Sequence, residues 1–352
     1  MPAMLIRYRG TAREEAFDAA FAAATDVIQR AHALVPVDRA LTQAQMNVDL
    51  PVERGFWLAE AGGLPIATLG ASLSTEEPSR GYIGFFAAAP GPQGEAAATD
   101  LLQAARTWLN ERGATKIFGP VNLTTWFPYR LQDSDFGSDF SAWEPQSPQC
   151  YRAIWERAGF AVVRSYFSES TVVDRDQTLE AMAREDGRAR DSGYRFRPLR
   201  WEQFATTELP HLHRLTVAAF AGADLFEPLP LMLMQSLYVP LVAKGKSGLS
   251  GVMALAPDGE PCGYLFGFRD RDAIVLKTIA ITPEHRVAGL SLGLMRELLR
   301  NAAAEARPQV ISALIRDNNA SQRLPNFLAR FGERTWRHHY VLMGCGDGTA
   351  YE

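Results

Sequence analysis

Apolar residues along this 352-residue chain recur in two rhythms. One is the period of two, or the short unbroken run, of a strand; the other is the three-to-four spacing of an amphipathic helix. Residues 5–8 predict a short strand, and the alanine-rich stretch over 12–34 predicts a helix. Residues 56–60 and 66–72, joined by Ala61-Gly62-Gly63-Leu64-Pro65, predict a hairpin, and 82–86 a further strand. Over 95–112 Leu101, Leu102, Ala105, Trp108 and Leu109 fall at helical spacing, and the pattern stops at Gly113, a normal helix end. A strand at 116–118, a helix over 151–158 ending at Gly159, and strands over 161–173 complete a first round.

Between 174 and 192 the chain turns strongly charged, with Arg mixed among Asp and Glu, which reads as a solvated helix or a linker. A second round follows. Residues 194–199 predict a strand, 252–255 and 262–268 a hairpin about Pro257-Asp258-Gly259-Glu260-Pro261, and 274–282 a strand leading into a helix over 289–304. A strand at 310–315, a helix over 321–330 and a last strand at 340–343 close it. An offset of 196 maps Pro65 onto Pro261, Ile83 onto Ile279, Phe85 onto Ile281 and Asn122 onto Asn318, the mark of an internal duplication. The first copy carries an insert over 123–148 rich in aromatics (Trp126, Phe127, Tyr129, Phe136, Phe140, Trp143). The expected division is a domain over 1–180, a charged linker over 181–192 and a domain over 193–352.

Composition narrows the function classes. A net charge of −4 with no Lys/Arg-rich run offers nothing to a phosphate backbone, so no nucleic-acid partner is expected. No stretch reaches the length of a membrane span, and the first residues lack a long apolar core, so a soluble protein with no membrane partner is expected. Cys150, Cys262 and Cys345 are far apart and lack metal-ligand spacing, which favours no metal and a reduced, cytoplasmic setting. No Gly-x-Gly-x-x-Gly turn sits in a βαβ unit, which excludes a dinucleotide-binding dehydrogenase.

The chemistry concentrates in the second copy. Its strand over 275–282 breaks at Pro283, and Arg286-Val287-Ala288-Gly289-Leu290-Ser291 feeds at once into an amphipathic helix. A glycine turn at a helix N-terminus presents unpaired N–H groups and the positive end of the helix dipole, a fit for a pyrophosphate. Read alone, it is equally a helix-entry turn beside a surface arginine. The arrangement resembles the Gln/Arg-x-x-Gly-x-Gly/Ala signature of the GNAT superfamily of N-acetyltransferases, placed after the fourth strand, with Ser291 in place of the usual Gly or Ala. Downstream, Asp317-Asn318-Asn319-Ala320-Ser321 resembles that family's Asn-x-x-Ala/Ser after the fifth strand. Asn318 reads equally as an Asx turn or a cap of the next helix.

The resemblance implies a tandem α/β (α+β) protein, each domain a mixed, mostly antiparallel sheet flanked by helices. It further implies that acetyl-CoA or another acyl-CoA lies between splayed fourth and fifth strands. By this resemblance Ile279, Ala280 and Ile281 would line the pantetheine arm, Arg286 through Ser291 would hold the pyrophosphate, and Asn318 and Ser321 would border the site. An amine acceptor would attack the thioester, and the apolar stretch over 231–242 would pack on the sheet or line the acceptor pocket. The first copy lacks the loop, reading Ala87-Ala88-Ala89-Pro90-Gly91-Pro92-Gln93-Gly94-Glu95, so it is expected to be degenerate; its Gly119-Pro120-Val121-Asn122 is similar to a segment in some tandem relatives. The tyrosine the family often uses as acid is missing from Phe327-Leu328-Ala329-Arg330-Phe331-Gly332; the first copy has Trp155 there and Tyr151 one turn earlier. Glu284, His285, Lys277, His338 and His339 are available as bases, and none is singled out. A non-catalytic acyl-CoA-binding sensor or scaffold is the rival expectation.

Overall fold

The computed structural model describes residues 4–9, 15–31, 39–48, 50–136, 143–245, 248–302 and 305–346. Two compact units divide the chain: Met1–Tyr166 with His338–Glu352, and Phe167–Arg337. The division falls after Tyr166 rather than within 181–192, and the last residues of the chain return to the first unit.

In the first unit β1 (Met4–Arg9), β2 (Glu53–Ala61), β3 (Leu64–Leu73) and β4 (Arg80–Ala88) form an antiparallel run. β5 (Lys116–Gly119) lies parallel to β4. The sheet continues through the final residues of the chain's last strand, β13 (Gly332–Gly346), antiparallel to β5, and then residues 161–166 of β7 (Ala161–Val173). A short β6 (Leu131–Gln132) pairs with β13 off this path. The helices are α1 (Glu15–Ala31), α2 (Arg39–Met46), α3 (Pro92–Asn110) and α4 (Tyr151–Arg157). α3 turns Ala98, Leu101, Leu102, Ala105 and Leu109 into the core, and Trp108 meets Trp57 edge-on at 5.6 Å. The expected ends of the first helix, 12–14 and 32–34, lie outside the described residues, as does Phe140 of the insert. Within the described part of the insert Phe127 is buried, Tyr129 meets Tyr166 at 5.9 Å, and the Arg130 guanidinium stacks on both rings.

In the second unit β8 (Arg195–Pro198), β9 (Leu249–Leu255), β10 (Pro261–Asp270) and β11 (Ala273–Ile281) are antiparallel, and β12 (Gln309–Arg316) is parallel to β11. Residues 167–173 of β7 flank β12, the Ser168 hydroxyl accepting from the Leu314 amide at 3.0 Å. The helices are α5 (Arg175–Asp191), α6 (Leu209–Phe220), α7 (Leu231–Gly245), α8 (Leu290–Ala302) and α9 (Arg323–Leu328). The tail of the expected helix at 303–304 lies outside the described residues. The parallel ladders start at Arg80↔Lys116 and Ala273↔Gln309, which places the copies at an offset of 193, not 196. By ladder position Ile83 therefore corresponds to Leu276 rather than to Ile279.

The charged stretch expected as a solvated helix or a linker is the helix α5, and it belongs to the second core rather than to solvent. Asp174 caps it by accepting from the Gln177 amide at 3.0 Å. Thr178, Met182, Asp186 and Ala189 face inward, Met182 and Ala189 packing in the cluster that holds Leu290, Leu294 and Leu298 of α8. Asp186 is fully buried and bridges Arg190 (2.8 Å) and Arg296 (3.2 Å). α7 behaves oppositely: for all its apolar residues it buries only Met234 and Val242, leaving Met232 81% and Leu241 53% exposed. No helix among the described residues is long and apolar enough to cross a membrane.

Candidate functional site

β11 and β12 pair from Ala273↔Gln309 to Leu276↔Ser312 and then part, β11 running on to Ile281 and β12 to Arg316. The parting coincides with a bulge. Phe266 of β10 faces Thr278 and Gly267 faces Leu276, leaving Lys277 as the extra residue, and such a bulge re-aims the strand. Beyond it Lys277 is exposed and Thr278, Ile279 and Ile281 are half-buried, while Ala280 stays buried. The Thr282 amide donates to the Cys262 carbonyl of β10 at 3.1 Å. Successive peptide groups of an extended strand point to opposite edges, so the Ala280 amide also turns toward β10 and those of Ile279 and Ile281 turn toward the parted edge.

The loop after β11 is a 3-10 turn, Pro283–His285, followed by 286–289 and the start of α8. The amides of Gly289, Ser291 and Leu292 have no hydrogen-bond partner among the described residues, whereas that of Leu290 donates to Val287 at 3.4 Å. The Leu290 side chain is buried in the core. Val287 and Ala288 are exposed. Gly289 has φ +87°, and a Cβ there would sit 2.3 Å from the Glu185 carbonyl oxygen of α5, so the loop is shaped by helix packing as much as by space for a ligand. The Arg286 guanidinium donates to the carbonyls of Ala219 at the end of α6 (2.8 Å) and Ile281 (3.4 Å). Arg316, at the end of β12, pairs with Asp224 at 3.5 Å. The end of α6 is thus held from the loop after β11, and the connection after it from the end of β12.

Asn318 is exposed in a left-handed turn, φ +62°. The cap of the following turn is Asn319, whose side chain accepts from the Ser321 amide at 3.0 Å. Ser321 therefore uses its amide within the chain.

The same place in the first unit is filled. β4 and β5 pair only as far as Tyr82↔Phe118, but β4 stays buried to Ala88. The segment after β5 folds against it: the Val121 amide donates to the Ile83 carbonyl at 2.8 Å, and a Cβ on Gly84 would lie 2.2 Å from the Val121 carbonyl. The Phe85 amide donates to Asn122 Oδ1 at 2.7 Å and the Ala88 amide to Tyr151 Oη at 3.0 Å. Burial pushes the Tyr151 hydroxyl well above its ordinary range, so it stays neutral. Phe86 packs between Tyr151 (4.8 Å) and Trp155 (5.3 Å).

The available bases are scattered. His285 Nδ1, in the 3-10 turn of the loop, lies 2.9 Å from Tyr194 Oη. Glu284 is exposed, its carboxylate held below the usual range first by its own backbone amide. His338 and His339 belong to the first unit, where Glu144 accepts from His338 Nδ1 (3.1 Å) and from Tyr340 Oη (2.5 Å). Where the family often carries a tyrosine, Leu328 is fully buried. Sequence reasoning passed over one pair: Tyr264 of β10, the ladder partner of Ala280, bonds Thr216 of α6 through its hydroxyl at 2.6 Å. Burial, then the Thr216 hydroxyl and nearby Tyr238, set the Tyr264 ionisation, which ends well above the ordinary range. The alternation of β10 would have placed Tyr264 on one face, but not beside Thr216, which lies 48 residues away.

Residues 177–319 match the profile described as acetyltransferase (GNAT) domain, and residues 25–125 that described as acetyltransferase (GNAT) family. No curated protein matches the chain in sequence. Among solved structures, a tandem GNAT protein from the clavulanic acid biosynthesis pathway, solved without AcCoA, is 14% identical, with 99% of each chain covered and a TM-score of 0.54. A GCN5-related N-acetyltransferase from Anabaena variabilis is 11% identical over 96% of this chain and 72% of its own, with a TM-score of 0.56. One from Kribbella flavida is also 11% identical, covering 98% and 72%, with a TM-score of 0.54. At these identities the likeness is one of fold.

Proposed function

Both halves of this chain belong to the GNAT acetyltransferase family, and from that premise we propose that the second unit alone binds acyl-CoA, acetyl-CoA first of all, and passes its acyl group to an amine. The observation that carries this is the contrast between the two parted strand pairs. In the second unit the Ile279 and Ile281 amides face an edge no strand occupies; in the first, Asn122 and Tyr151 already bond the matching edge. A pantetheine arm would add to β11 as a further strand does. The free amides of Gly289, Ser291 and Leu292 would receive the pyrophosphate at the start of α8. Arg286 would exchange its carbonyl contacts for a phosphate oxygen, a stronger charge-assisted bond.

In the transfer the amine nitrogen attacks the thioester carbonyl. The C–N bond forms, the C–S bond breaks, the nitrogen loses a proton and the departing thiolate gains one. A strand amide at the parted edge would steady the oxyanion, and solvent is the proton carrier we favour, since no side chain is assigned as base. The three free cysteines fit a reducing compartment, and we place the protein in the cytoplasm.

One observation favours a second reading, an acyl-CoA sensor without turnover: α9 ends on buried Leu328, with no hydroxyl there to protonate a thiolate. The test is thermal unfolding with acetyl-CoA. At a hundredfold excess over Kd, binding adds about 2.7 kcal/mol, a shift of several degrees. Ser291→Glu, which places a carboxylate at the helix start, is expected to abolish the shift. No shift of the wild type at millimolar acetyl-CoA overturns the reading; a shift without CoA release across amines selects the sensor.

A further inference from the structure

The strong bases of this chain are arginines almost throughout: of 36 Lys and Arg residues, only Lys116, Lys244, Lys246 and Lys277 are lysines. The difference is chemical, because a lysine amine accepts an acyl group and a guanidinium, charged at any physiological pH, does not. Lys246 lies outside the described residues, Lys116 pairs with Glu77 at 3.0 Å, and Lys244 is exposed on α7. Lys277 stands in the middle of β11.

Its place there follows from the bulge. Ile274 and Leu276 before it and Ile279 and Ile281 after it all pack with the α8 core, so the alternation changes phase at Lys277 and keeps the apolar face inward on both sides. What the bulge leaves outside is Lys277 itself, exposed in mid-strand. β10 covers one edge of β11, α8 packs on one face, and α6 lies on the other, where Thr216 meets Tyr264. The opening that remains is toward β12, whose pairing ends one residue earlier at Leu276↔Ser312. Lys277 therefore marks the closed end of the parted edge.

A pantetheine arm bound as proposed above would have a fixed direction. Its phosphate end would lie at the amides of Gly289, Ser291 and Leu292, and it would pass Ile281 before Ile279. It could run no further than Leu276, where β12 closes the edge. From Thr282 back to Lys277 is five residues of strand, roughly 16 Å, comparable with an extended pantetheine arm. The thioester would come to rest beside a primary amine.

Resting on the reading of this unit as an acyl-CoA-dependent transferase, we propose that Lys277 is a site of self-acylation, taking the acyl group from bound acyl-CoA when no amine acceptor is at hand. The unprotonated Nζ attacks the thioester carbonyl. The C–N bond forms and the C–S bond breaks, Nζ gives a proton to solvent, and the departing thiolate takes one up. The products are an amide on Lys277 and free CoA.

Peptide mass spectrometry of the full chain, incubated with acetyl-CoA and no acceptor, tests it, with Lys244 as the reference for unassisted acylation. Lys277 is expected to be acetylated at least about tenfold faster than Lys244, since a bound thioester is presented at a high effective concentration. Excess free CoA, competing for the same edge, and Ser291→Glu are each expected to bring Lys277 down to the reference rate while leaving Lys244 unchanged. Equal rates at the two lysines, or a Lys277 rate that neither free CoA nor Ser291→Glu lowers, overturns the proposal. A thermal shift with acetyl-CoA but no acetyl group on Lys277 overturns it as well and leaves the proposed function standing. Absence of any thermal shift removes that reading and this proposal together.

Discussion

Replacing Gly289 by alanine separates two reasons for a glycine in this loop, room for a ligand and room for α5. The added Cβ would lie 2.3 Å from the Glu185 carbonyl oxygen and 3.1 Å from Asp186 Cα, both backbone atoms that cannot rotate away. The position also holds φ +87°, which costs a residue with a Cβ about 1 kcal/mol. Relieving the contact means moving α5 along α8, and overpacking of that kind costs about 1–3 kcal/mol. Together these give about 2–4 kcal/mol in the absence of any ligand. For a unit of this size each kcal/mol lowers Tm by roughly 2–4 °C, so a fall of about 5–15 °C is expected by circular dichroism. Ser291→Glu is the control: a carboxylate in the first turn of a helix is favourable, so its Tm without ligand should hold or rise slightly, while the acetyl-CoA shift disappears. If Gly289→Ala melts within about 1 °C of wild type, the packing argument is refuted.

Three further outcomes follow from the same contacts. Tyr151→Phe strands the buried Ala88 amide and should cost about 1–3 kcal/mol by denaturant unfolding while leaving acetyl-CoA binding intact; loss of that binding would show that the first unit takes part. Asp186→Ala removes the carboxylate between Arg190 and Arg296, which are exposed enough to rehydrate (36% and 23%), so a loss of roughly 1–3 kcal/mol is expected; an unchanged unfolding midpoint would contradict it. The Glu77 carboxylate is held below its ordinary 4.5 by hydrogen bonds from Lys116 and Ser79, with Arg80 adding charge. A lowered carboxylate contributes stability above its unfolded value and loses it as pH falls through the folded one. Glu77→Gln should therefore cost up to about 1 kcal/mol at pH 7, with the gap to wild type closing as pH falls below 4.5; a gap that persists at low pH would refute the ionic origin.

Local pattern revealed the strands and helices of both units because each has one apolar face and an ordinary stop. It also located the loop, since Pro283 and Gly289 punctuate the chain there; the parting of the strands beside it was implied only by the family resemblance. What it missed depends on partners distant in sequence. α5 read as a solvated helix or a linker because its inward face includes Thr178 and Asp186, and a buried carboxylate is invisible until Arg296 is known to lie beside it. α7 read as a helix in need of cover, and among the described residues it buries only Met234 and Val242. Asn122 and Asn318 looked alike, yet one bonds the amide of Phe85 and the other is an exposed turn residue. The offset of 196 matched residue types, while the ladders, set by backbone pairing, follow 193.

The occupied edge in the first unit has a thermodynamic consequence. Asn122 and Tyr151 are tethered to β4 by the chain itself, so they occupy it at an effective concentration that no dilution lowers. Under the proposed function the first unit is a permanently saturated copy, and its stability is independent of cofactor supply. The second unit draws part of its stability from a diffusible occupant and gains it only as RT ln(1 + [L]/Kd). Duplication has then produced one half indifferent to the acyl-CoA pool and one half coupled to it. As that pool falls, melting would begin in the second half, and protease sensitivity there would track the supply of acyl-CoA.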